Sequence, residues 1–332
     1  MILIKYYEIT NSFFRTLLTK MAVYTKITEQ EIEYLFQEYN GIEKIEGIAE
    51  GVENTNYLVK TQNKNKFIFT IFEKRTKGSD LPFFHKAMSE FNNKGITCPT
   101  PIVVNGNDIF EIKQKPCAIY SFIEGNQIQT LNDDAMSSLA KNISTIHNIG
   151  SQSDLYREND MLLSSWKYIV NKFNNYDGEN KSEFAHVKNV ILSLEKKFPQ
   201  NLKKSLIHGD LFKDNIFFKN NEVSGFIDFF FTCADTIVYD LATLINAWFL
   251  NHENFDENYF KIFFNKYFNF ISWTNEEKES FNFYLKASAI RFFLTRIHDK
   301  YFNKEGEVNH KDPMEFFAIL QFHEKNNLQD FF

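Results

Sequence analysis

The stretch at residues 205–231 constrains the chain more than any other, because it combines brief strand signals with a fixed spacing of polar side chains. Short apolar runs bounded by polar turns predict three brief strands in it, at 205–207, 216–218 and 223–227. Asp210 follows the first run, Asn215 lies five residues further on, and Asp228 ends the third run. A loop and a hairpin would bring these three side chains together.

An aspartate, an asparagine and a second aspartate in this arrangement are typical of phosphoryl transfer. The transferred group carries dispersed negative charge, so catalysis needs a carboxylate that orients the acceptor hydroxyl and oxygen ligands for Mg2+. We assign the first role to Asp210 and the second to Asn215 and Asp228. The alternative, in which the three only cap turns and end a strand, stays open. His208 and Asp240 are expected to brace the loop and a helix start by hydrogen bonds.

Composition and charge narrow the class of protein. Of the 332 residues, 43% are hydrophobic and 24% are charged, which indicates a soluble globular chain long enough for two lobes. The net charge of -6 argues against a nucleic-acid binder, which would present a basic face. The three cysteines fit neither a disulfide framework nor a metal site, and no signal peptide or stretch of ~20 apolar residues offers a membrane span. We therefore expect a cytoplasmic protein with neither a membrane nor a nucleic-acid partner.

The chain divides into a leader and two lobes. Residues 1–20 are interrupted by charges and are expected to be a poorly ordered extension, with an amphipathic anchoring helix as the alternative. Residues 21–124 combine strands with one inserted helix, whereas residues 125–332 carry mainly helix-spaced apolar positions. Strands of the first lobe are expected at 42–48, 56–61, 66–72, on both sides of the turn 105–108, and at 117–123. The predicted fold class is α+β, with a small sheet-dominated N-lobe and a large, mainly helical C-lobe.

Several blocks of sequence resemble one known superfamily. HGDLFKDN at 208–215 and GFIDFFF at 225–231 resemble the aminoglycoside phosphotransferases and choline kinases. Further blocks narrow the resemblance to the bacterial homoserine kinases of that superfamily: GIAEGVENTNYLV (47–59), FIFTIFEKR (67–75), DLPFF (80–84), YDLATLINAWF (239–249) and AIRFFLTRIHD (289–299). The resemblance implies a bilobal protein-kinase-like fold with an antiparallel N-lobe sheet, ATP and Mg2+ in the reaction, and L-homoserine as the small-molecule substrate.

The resemblance implies that two segments of the chain contact ATP. The turn at 47–56 would cover the phosphates, through Gly51, Asn54, Thr55 and Asn56. An ordinary hairpin turn without a ligand is the alternative reading. The connection 120–124 would be the hinge, whose residues beside the adenine would be Tyr120, Phe122 and Ile123.

The third strand lacks an expected cation. Thr70 stands where protein kinases carry a lysine that contacts the phosphates. Lys74 lies four residues later on the same strand face and is the predicted replacement, although Arg75 is an equal alternative and the site could also work without a cation.

The acceptor contacts are predicted from the chemistry of homoserine. Its carboxylate is best bound by a bidentate arginine. Arg291 is the candidate because a charge with apolar neighbours on an aromatic-rich helix needs a partner, and a structural salt bridge is the alternative. Asn246 and Trp248 follow the metal loop and would line the pocket or simply pack.

The resemblance therefore implies a homoserine kinase that makes O-phospho-L-homoserine on the route to threonine. A kinase for another small alcohol, such as choline, ethanolamine or an aminoglycoside, is one alternative. A catalytically silent ATP-binding protein is the other, and the intact set of Asp210, Asn215 and Asp228 argues against it. The oligomeric state has no signal in the sequence.

Overall fold

The computed structural model describes residues 25–48, 54–73, 75–173, 178–250, 255–302 and 311–332. The chain forms two compact units. The first contains the described residues up to Leu81 together with Thr100–Phe122, and the second contains Pro82–Pro99 and the described residues from Ile123 onward. The predicted lobe boundary at 124 stays a prediction, and the segment with the helix expected in the N-lobe groups with the second unit. The leader at 1–20 lies outside the described residues.

An antiparallel sheet forms most of the first unit. Among the described residues its strands are β1 (Ile42–Ile48), β2 (Asn54–Thr61), β3 (Lys66–Phe72), β4 (Phe110–Ile112) and β5 (Lys115–Ser121), in the order β1-β2-β3-β5-β4. The register pairs Asn56 with Thr70. A short helix, α1 (Glu29–Ile32), continues as a 3-10 turn to Tyr39, and its Phe36 packs against Phe67 of β3. Alternate apolar residues of β3 supply the core of this unit because they point to one face of the sheet.

One predicted strand is wrong. On the N-terminal side of the turn at 105–108, the chain makes only isolated bridges, from Pro101 to Tyr120 and from Val104 to Asn107. The pairing cannot continue along β5 toward the turn, because Phe110 of β4 already pairs with Cys117 of β5. Two backbone hydrogen bonds, from the Ile102 N–H to the Ile119 carbonyl and from the Ser121 N–H to the Thr100 carbonyl, keep the segment beside β5.

Helices dominate the second unit. They are α2 (Leu81–Asn93), α3 (Asp133–Gly150), α4 (Leu163–Lys172), α5 (Lys181–Glu195), α6 (Ile237–Trp248), α7 (Glu257–Phe268), α8 (Asn275–Phe302) and α9 (Pro313–Lys325). Side chains cap several helix starts: Asn132 accepts from the Ala135 N–H before α3, and Thr236 accepts from the Val238 N–H before α6. Helix α6 is buried along nearly its whole length and packs against α8. The α+β class predicted from the sequence is confirmed.

Four short strands interrupt the helices of the second unit within its described residues. They are β6 (Ser205–Ile207), β7 (Ile216–Lys219), β8 (Glu222–Phe226) and β9 (Cys233–Asp235). The β7–β8 hairpin agrees with the sequence prediction. Strand β9 was not predicted, because three residues without alternating polarity carry no strand signal. It pairs antiparallel with β6 and so returns the chain to the segment that precedes Asp210.

Helix α3 lies close against β6 because its last residue is a glycine. A Cβ atom added to Gly150 would lie 1.9 Å from the carbonyl oxygen of Leu206. Since this neighbour is backbone in a buried strand, it cannot turn aside as a flexible side chain would. Gly150 therefore sets the distance between α3 and the strand that leads into Asp210.

We predict that Gly150→Ala lowers the free energy of unfolding by about 1–3 kcal/mol, the usual cost of overpacking a core. Alanine would otherwise stabilise a helical position, so the sign of the change tests the close contact. Urea unfolding followed by circular dichroism measures it. The control Ser151→Ala removes a hydroxyl that bonds only within its own helix turn, and it should change the value by no more than about 0.5 kcal/mol. A neutral or stabilising Gly150→Ala would contradict the packing.

Candidate active site

The loop at 208–215, here called the catalytic loop, begins with a conformation that only glycine adopts easily. Gly209 has a φ of +81°. A Cβ atom there would lie 2.6 Å from the carbonyl oxygen of Phe231. The loop can therefore pass directly beside the segment after Asp228 only because position 209 has no side chain.

A buried carboxylate holds the N–H groups at the start of this loop. Asp240, in the first turn of α6, accepts from the His208 N–H at 3.0 Å and from the Gly209 N–H at 2.8 Å. The Nε2 of His147 donates to the same carboxylate at 3.3 Å, and its Nδ1 accepts from the Tyr267 hydroxyl at 2.7 Å. Burial would raise the pKa of Asp240, but these hydrogen bonds and the neighbouring imidazoles hold it below its ordinary value. Asp240 is thus a charged brace of the loop, as its position at a helix start suggested.

A buried guanidinium holds the carbonyl side of the same loop. Arg291 of α8 is 2% exposed. Its Nη1 donates to the Gly209 carbonyl oxygen and, at 3.0 Å, to the Tyr239 hydroxyl. The guanidinium also lies over the ring of Phe231, 4.8 Å from its centroid. The predicted role of Arg291 as a ligand of the acceptor carboxylate stays a prediction, and its Nη1 already has two acceptors within the protein.

The carboxylate of Asp210 is fixed from two directions. The Nδ2 of Asn215 donates to Asp210 Oδ2 at 2.9 Å and to the Asp210 carbonyl at 2.9 Å. On the other side, Arg291 Nη2 lies 3.6 Å from Asp210 Oδ1, and the Asp210 side chain keeps 15% of its surface exposed. Burial raises the pKa of Asp210, although the nearby Arg291 and His208 oppose the shift. The group is therefore oriented and still accessible to a small molecule.

His208 joins the catalytic loop to the strand end that carries Asp228. Its Nδ1 accepts from the Asp210 N–H at 3.2 Å, and its Nε2 donates to the Ile227 carbonyl at 3.0 Å. Burial lowers the pKa of His208, which agrees with the neutral imidazole that these two bonds require. The loop-holding role expected from the sequence agrees with this geometry.

Asn215 and Asp228 come together through the backbone. The Ile227 N–H donates to the Asn215 carbonyl at 2.9 Å. Asp228 then adopts a left-handed conformation, with φ 63° and ψ 60°, before the 3-10 turn Phe229–Phe231. Such a conformation is costly for a residue with a side chain, and it is often found at functional sites.

The oxygen atoms of Asn215 and Asp228 suit a hard cation whose coordination is completed by a phosphorylated ligand. Asn215 uses its amide N–H groups on Asp210, and no described residue donates a hydrogen bond to its Oδ1. This oxygen and the carboxylate of Asp228 are the ligand types that Mg2+ accepts. No group of three or more His, Cys, Asp or Glu residues that could hold a metal occurs among the described residues. A metal here would therefore depend on oxygens from phosphate and water.

Two of the predicted nucleotide contacts of the first unit are bonded to side chains of strand β3 and the residue that follows it. The Asn56 amide oxygen accepts from the Thr70 hydroxyl at 2.7 Å, and the Thr55 hydroxyl donates to Glu73 at 2.5 Å. Asn54 Oδ1 is buried without a hydrogen bond from any described residue. Gly51 and Lys74 lie outside the described residues.

The predicted hinge residues fall in both units. Tyr120 is buried in the first unit, and Lys66 places its ammonium 5.0 Å from the centre of the Phe122 ring. Ile123 belongs to the second unit, where a Cβ atom on Gly225 would lie 2.7 Å from it. Whether these residues contact adenine stays a prediction.

The other two predicted acceptor contacts differ in what their polar atoms do. Asn246 is 1% exposed; its Nδ2 donates to the Leu285 carbonyl at 2.9 Å, and its Oδ1 accepts from His323 Nε2 at 2.7 Å. Trp248 is 8% exposed, and its indole N–H has no acceptor among the described residues. The ammonium of Lys213, from the catalytic loop, lies 5.7 Å from the centre of the Trp248 ring. The Trp248 indole nitrogen therefore has no partner among the described residues, whereas both polar side-chain atoms of Asn246 have one.

Sequence reasoning missed His147, Tyr239 and Tyr267. Each is a polar side chain on a helix face that is otherwise apolar. Such residues are usually core positions with a local partner, so the sequence alone gives no reason to connect them with a loop far along the chain. Their burial and shared partners reveal the network.

We predict that Asp240→Asn lowers the free energy of unfolding by about 3 kcal/mol at pH 7, because it leaves buried donors without their charged acceptor. The pKa of Asp240 is lowered by folding, so its stabilising charge is present above the ordinary value of 3.8 and is lost as the pH falls through the folded-state value. The difference between wild type and variant, measured by urea unfolding, should therefore shrink in acid.

Asp235→Asn is the matched control. Burial raises the pKa of Asp235 despite hydrogen bonds from Asn159 and Thr236. The contribution of Asp235 to the free energy of unfolding should therefore change with pH in the opposite direction. Wild type should gain stability relative to this variant as the pH falls. If the difference in free energy of unfolding between wild type and variant changed with pH in the same way for both variants, the charged state assigned to Asp240 would be contradicted.

The chain matches a known family and known proteins over most of its length. The phosphotransferase enzyme family (APH) matches residues 44–277. A homoserine kinase from Brucella anthropi is 36% identical over 310 residues, which cover 91% of this chain and 94% of that protein. A homoserine kinase from Paramagnetospirillum magneticum is 34% identical over 316 residues, covering 92% of this chain and 97% of that one.

Solved structures show the same fold at low sequence identity. Amicoumacin kinase hAmiN, in complex with AMP-PNP, Ca2+ and Ami, aligns with a TM-score of 0.66 at 15% identity, over 87% of this chain and 88% of that chain. Choline kinase from Cryptosporidium parvum aligns with a TM-score of 0.60 at 17% identity, over 85% of this chain and 88% of that one. Within the described residues, no helix has the length and apolar character needed to cross a membrane. The chain belongs to the phosphotransferase enzyme family, and over about nine tenths of its length it is similar in sequence to the homoserine kinases of Brucella anthropi and Paramagnetospirillum magneticum.

Proposed function

We propose that the protein is a homoserine kinase, which transfers the γ-phosphoryl group of ATP to the hydroxyl of L-homoserine and releases O-phospho-L-homoserine and ADP. The observation that carries the reaction type is the oriented, accessible carboxylate of Asp210, which is bonded to Asn215, while Asp228 follows the residue whose N–H binds the Asn215 carbonyl. The acceptor is proposed from the relatives, because the family as a whole phosphorylates several kinds of alcohol. The product would serve threonine synthesis in the cytoplasm, and the three buried free cysteines suit a reducing compartment.

Asp210 is the proposed catalytic residue. Its carboxylate would accept a hydrogen bond from the homoserine hydroxyl and take its proton as the new P–O bond forms and the bond to ADP breaks. The hydrogen bond from Asn215 and the nearby guanidinium of Arg291 keep this carboxylate in one orientation. A fixed acceptor for the proton lowers the entropic cost of reaching the transition state.

Asn215 and Asp228 are the proposed ligands of Mg2+. The fit rests on the unoccupied Oδ1 of Asn215 and on the backbone bond that keeps the two residues adjacent. When bound, Mg2+ would neutralise charge that develops on the phosphate oxygens. The protein's own part is to hold both oxygens still, which Asp210 does for Asn215 by accepting its amide N–H.

Trp248 is the proposed contact for the acceptor carboxylate. A buried indole N–H without an acceptor is costly, so a ligand oxygen that satisfies it would gain affinity. The ammonium of Lys213 next to the ring would favour an anionic group in the same place. The zwitterionic end of homoserine supplies such a group, whereas choline does not.

An ATP-consumption assay with Mg2+ across a panel of alcohols tests the proposed function. The panel contains L-homoserine, choline, ethanolamine and an aminoglycoside, each at the same concentration. We expect turnover with homoserine, and phosphorus NMR of the product should show a phosphate ester on its hydroxyl. Turnover with another member of the panel and none with homoserine would overturn the assignment of the acceptor.

We predict that Asp210→Asn lowers kcat by about 10² or more, the range of a positioned acid or base. Asparagine keeps the size of the side chain but cannot take the proton. Nucleotide affinity, measured by calorimetry with an ATP analogue, should change little. Near-normal kcat in a folded variant would remove Asp210 from the mechanism.

We predict that Trp248→Phe raises KM for homoserine about tenfold or more, because the variant loses a hydrogen bond to a charged group, and leaves KM for ATP unchanged. Trp166→Phe is the control, since the Trp166 indole N–H already donates to the Met161 carbonyl within the protein. It should lower the melting temperature without changing KM for homoserine. Equal KM values for wild type and Trp248→Phe would exclude the indole N–H from the acceptor site.

A further inference from the structure

Arg291 is an unusual charge because it lies at the centre of the second unit. At 2% exposure its guanidinium is removed from water, which is costly unless charge and hydrogen bonds replace the lost hydration. Asp210 is the only carboxylate within ion-pair distance of it among the described residues, at 3.6 Å. Its other contacts are the Gly209 carbonyl, the Tyr239 hydroxyl and the rings of Phe231 and Phe292. Asp210 and Gly209 belong to the catalytic loop, and Tyr239 directly precedes the Asp240 that braces it.

One nitrogen of Arg291 binds backbone and the other faces a side chain, so that together they fix the orientation of the Asp210 carboxylate. Nη1 binds the carbonyl of Gly209, which belongs to the peptide unit leading into Asp210. Nη2 faces Oδ1 of the Asp210 carboxylate, while Asn215 binds Oδ2. The planar guanidinium therefore ties the orientation of the carboxylate to the orientation of its own peptide. A lysine, with a single nitrogen, cannot reproduce both contacts.

We propose that Arg291 is a positioning residue for phosphoryl transfer: it aligns the Asp210 carboxylate with the acceptor hydroxyl and does not itself bind the acceptor. This inference rests on the proposed function, since it gives Asp210 the role of proton acceptor. It differs from two other readings of the same residue. A ligand of the acceptor carboxylate would govern KM for homoserine, and a purely structural ion pair would govern stability alone.

The first experiment compares Arg291→Lys and Arg291→Gln with wild type in steady-state kinetics. Rates are normalised to the fraction of molecules that bind an ATP analogue, so that loss of folded protein does not count as loss of kcat. We expect kcat to fall about 10- to 100-fold, because a misplacement of about 1 Å at the reacting centre has effects of this size. KM for homoserine should stay within about threefold of wild type.

Arg296→Lys is the matched control from the same helix. Arg296 donates to the Asp312 carbonyl at 2.8 Å and to Glu315 at 2.5 Å, and it lies 4.5 Å from the centre of the Phe316 ring. It is also an arginine that is mostly buried and stacked on an aromatic ring, but its ion pair is not with Asp210. Arg296→Lys should lower the melting temperature and leave kcat unchanged.

The second experiment is a double-mutant cycle. If Arg291 acts through Asp210, then Arg291→Lys should change kcat less than about twofold in the Asp210→Asn background, because the group that it positions is already disabled. A radiolabelled-phosphate assay is sensitive enough for the residual activity. If Arg291→Lys instead lowers kcat through a general disturbance of the site, the fold-loss of kcat should be the same in both backgrounds.

Three results would overturn the proposal. They are a rise in KM for homoserine with unchanged kcat, an equal loss of kcat in the wild-type and Asp210→Asn backgrounds, and a loss of kcat in Arg296→Lys as large as that in Arg291→Lys. Failure of the proposed function would be seen in the wild type itself. If another alcohol on the panel is the acceptor, the ratios of kcat between variant and wild type are measured with that alcohol. If wild type phosphorylates no alcohol on the panel, both proposals fall.

Discussion

The backbone around Gly209 is held by two buried charges of opposite sign, and the site depends on that arrangement. Asp240 binds the N–H groups of His208 and Gly209, and Arg291 binds the Gly209 carbonyl. Each ion would be costly to bury without partners, but Asp240 accepts three hydrogen bonds and Arg291 donates to two acceptors and lies near the Asp210 carboxylate. The result is a loop whose direction is set before any ligand arrives, as electrostatic preorganisation requires.

The supports of this loop come from distant parts of the chain. Asp240 lies on α6, His147 on α3 and Arg291 on α8, and each belongs to a helix that packs into the core of the second unit. The loop itself is short and polar and could not hold this conformation alone. A rigid helical scaffold therefore provides the precision, while the residues that face the ligand stay on a loop. The close approach of α3 to β6 at Gly150 extends the same scaffold to the start of the loop.

The local sequence pattern predicted those elements whose conformation depends mainly on neighbouring residues. The β7–β8 hairpin followed from two apolar runs around a polar turn, and the adjacency of Asn215 and Asp228 followed from that hairpin. Strand β9 escaped prediction because its three residues gain their strand conformation from pairing with β6, not from their own sequence. The partner of Arg291 escaped for a similar reason. The sequence indicated a buried charge in need of a partner, but the Gly209 carbonyl lies 82 residues earlier, and no local signal links the two.

The central claim is that this braced loop presents the Asp210 carboxylate to the hydroxyl of the acceptor. A crystal structure with L-homoserine, Mg2+ and a non-hydrolysable ATP analogue measures it most directly. The account predicts that the homoserine hydroxyl lies within hydrogen-bond distance of Asp210, about 2.6–3.2 Å, with the terminal phosphoryl group on its opposite side and Arg291 still bound to the Gly209 carbonyl. A homoserine whose hydroxyl contacts another side chain, or whose carboxylate has drawn Arg291 away from Gly209, would contradict it.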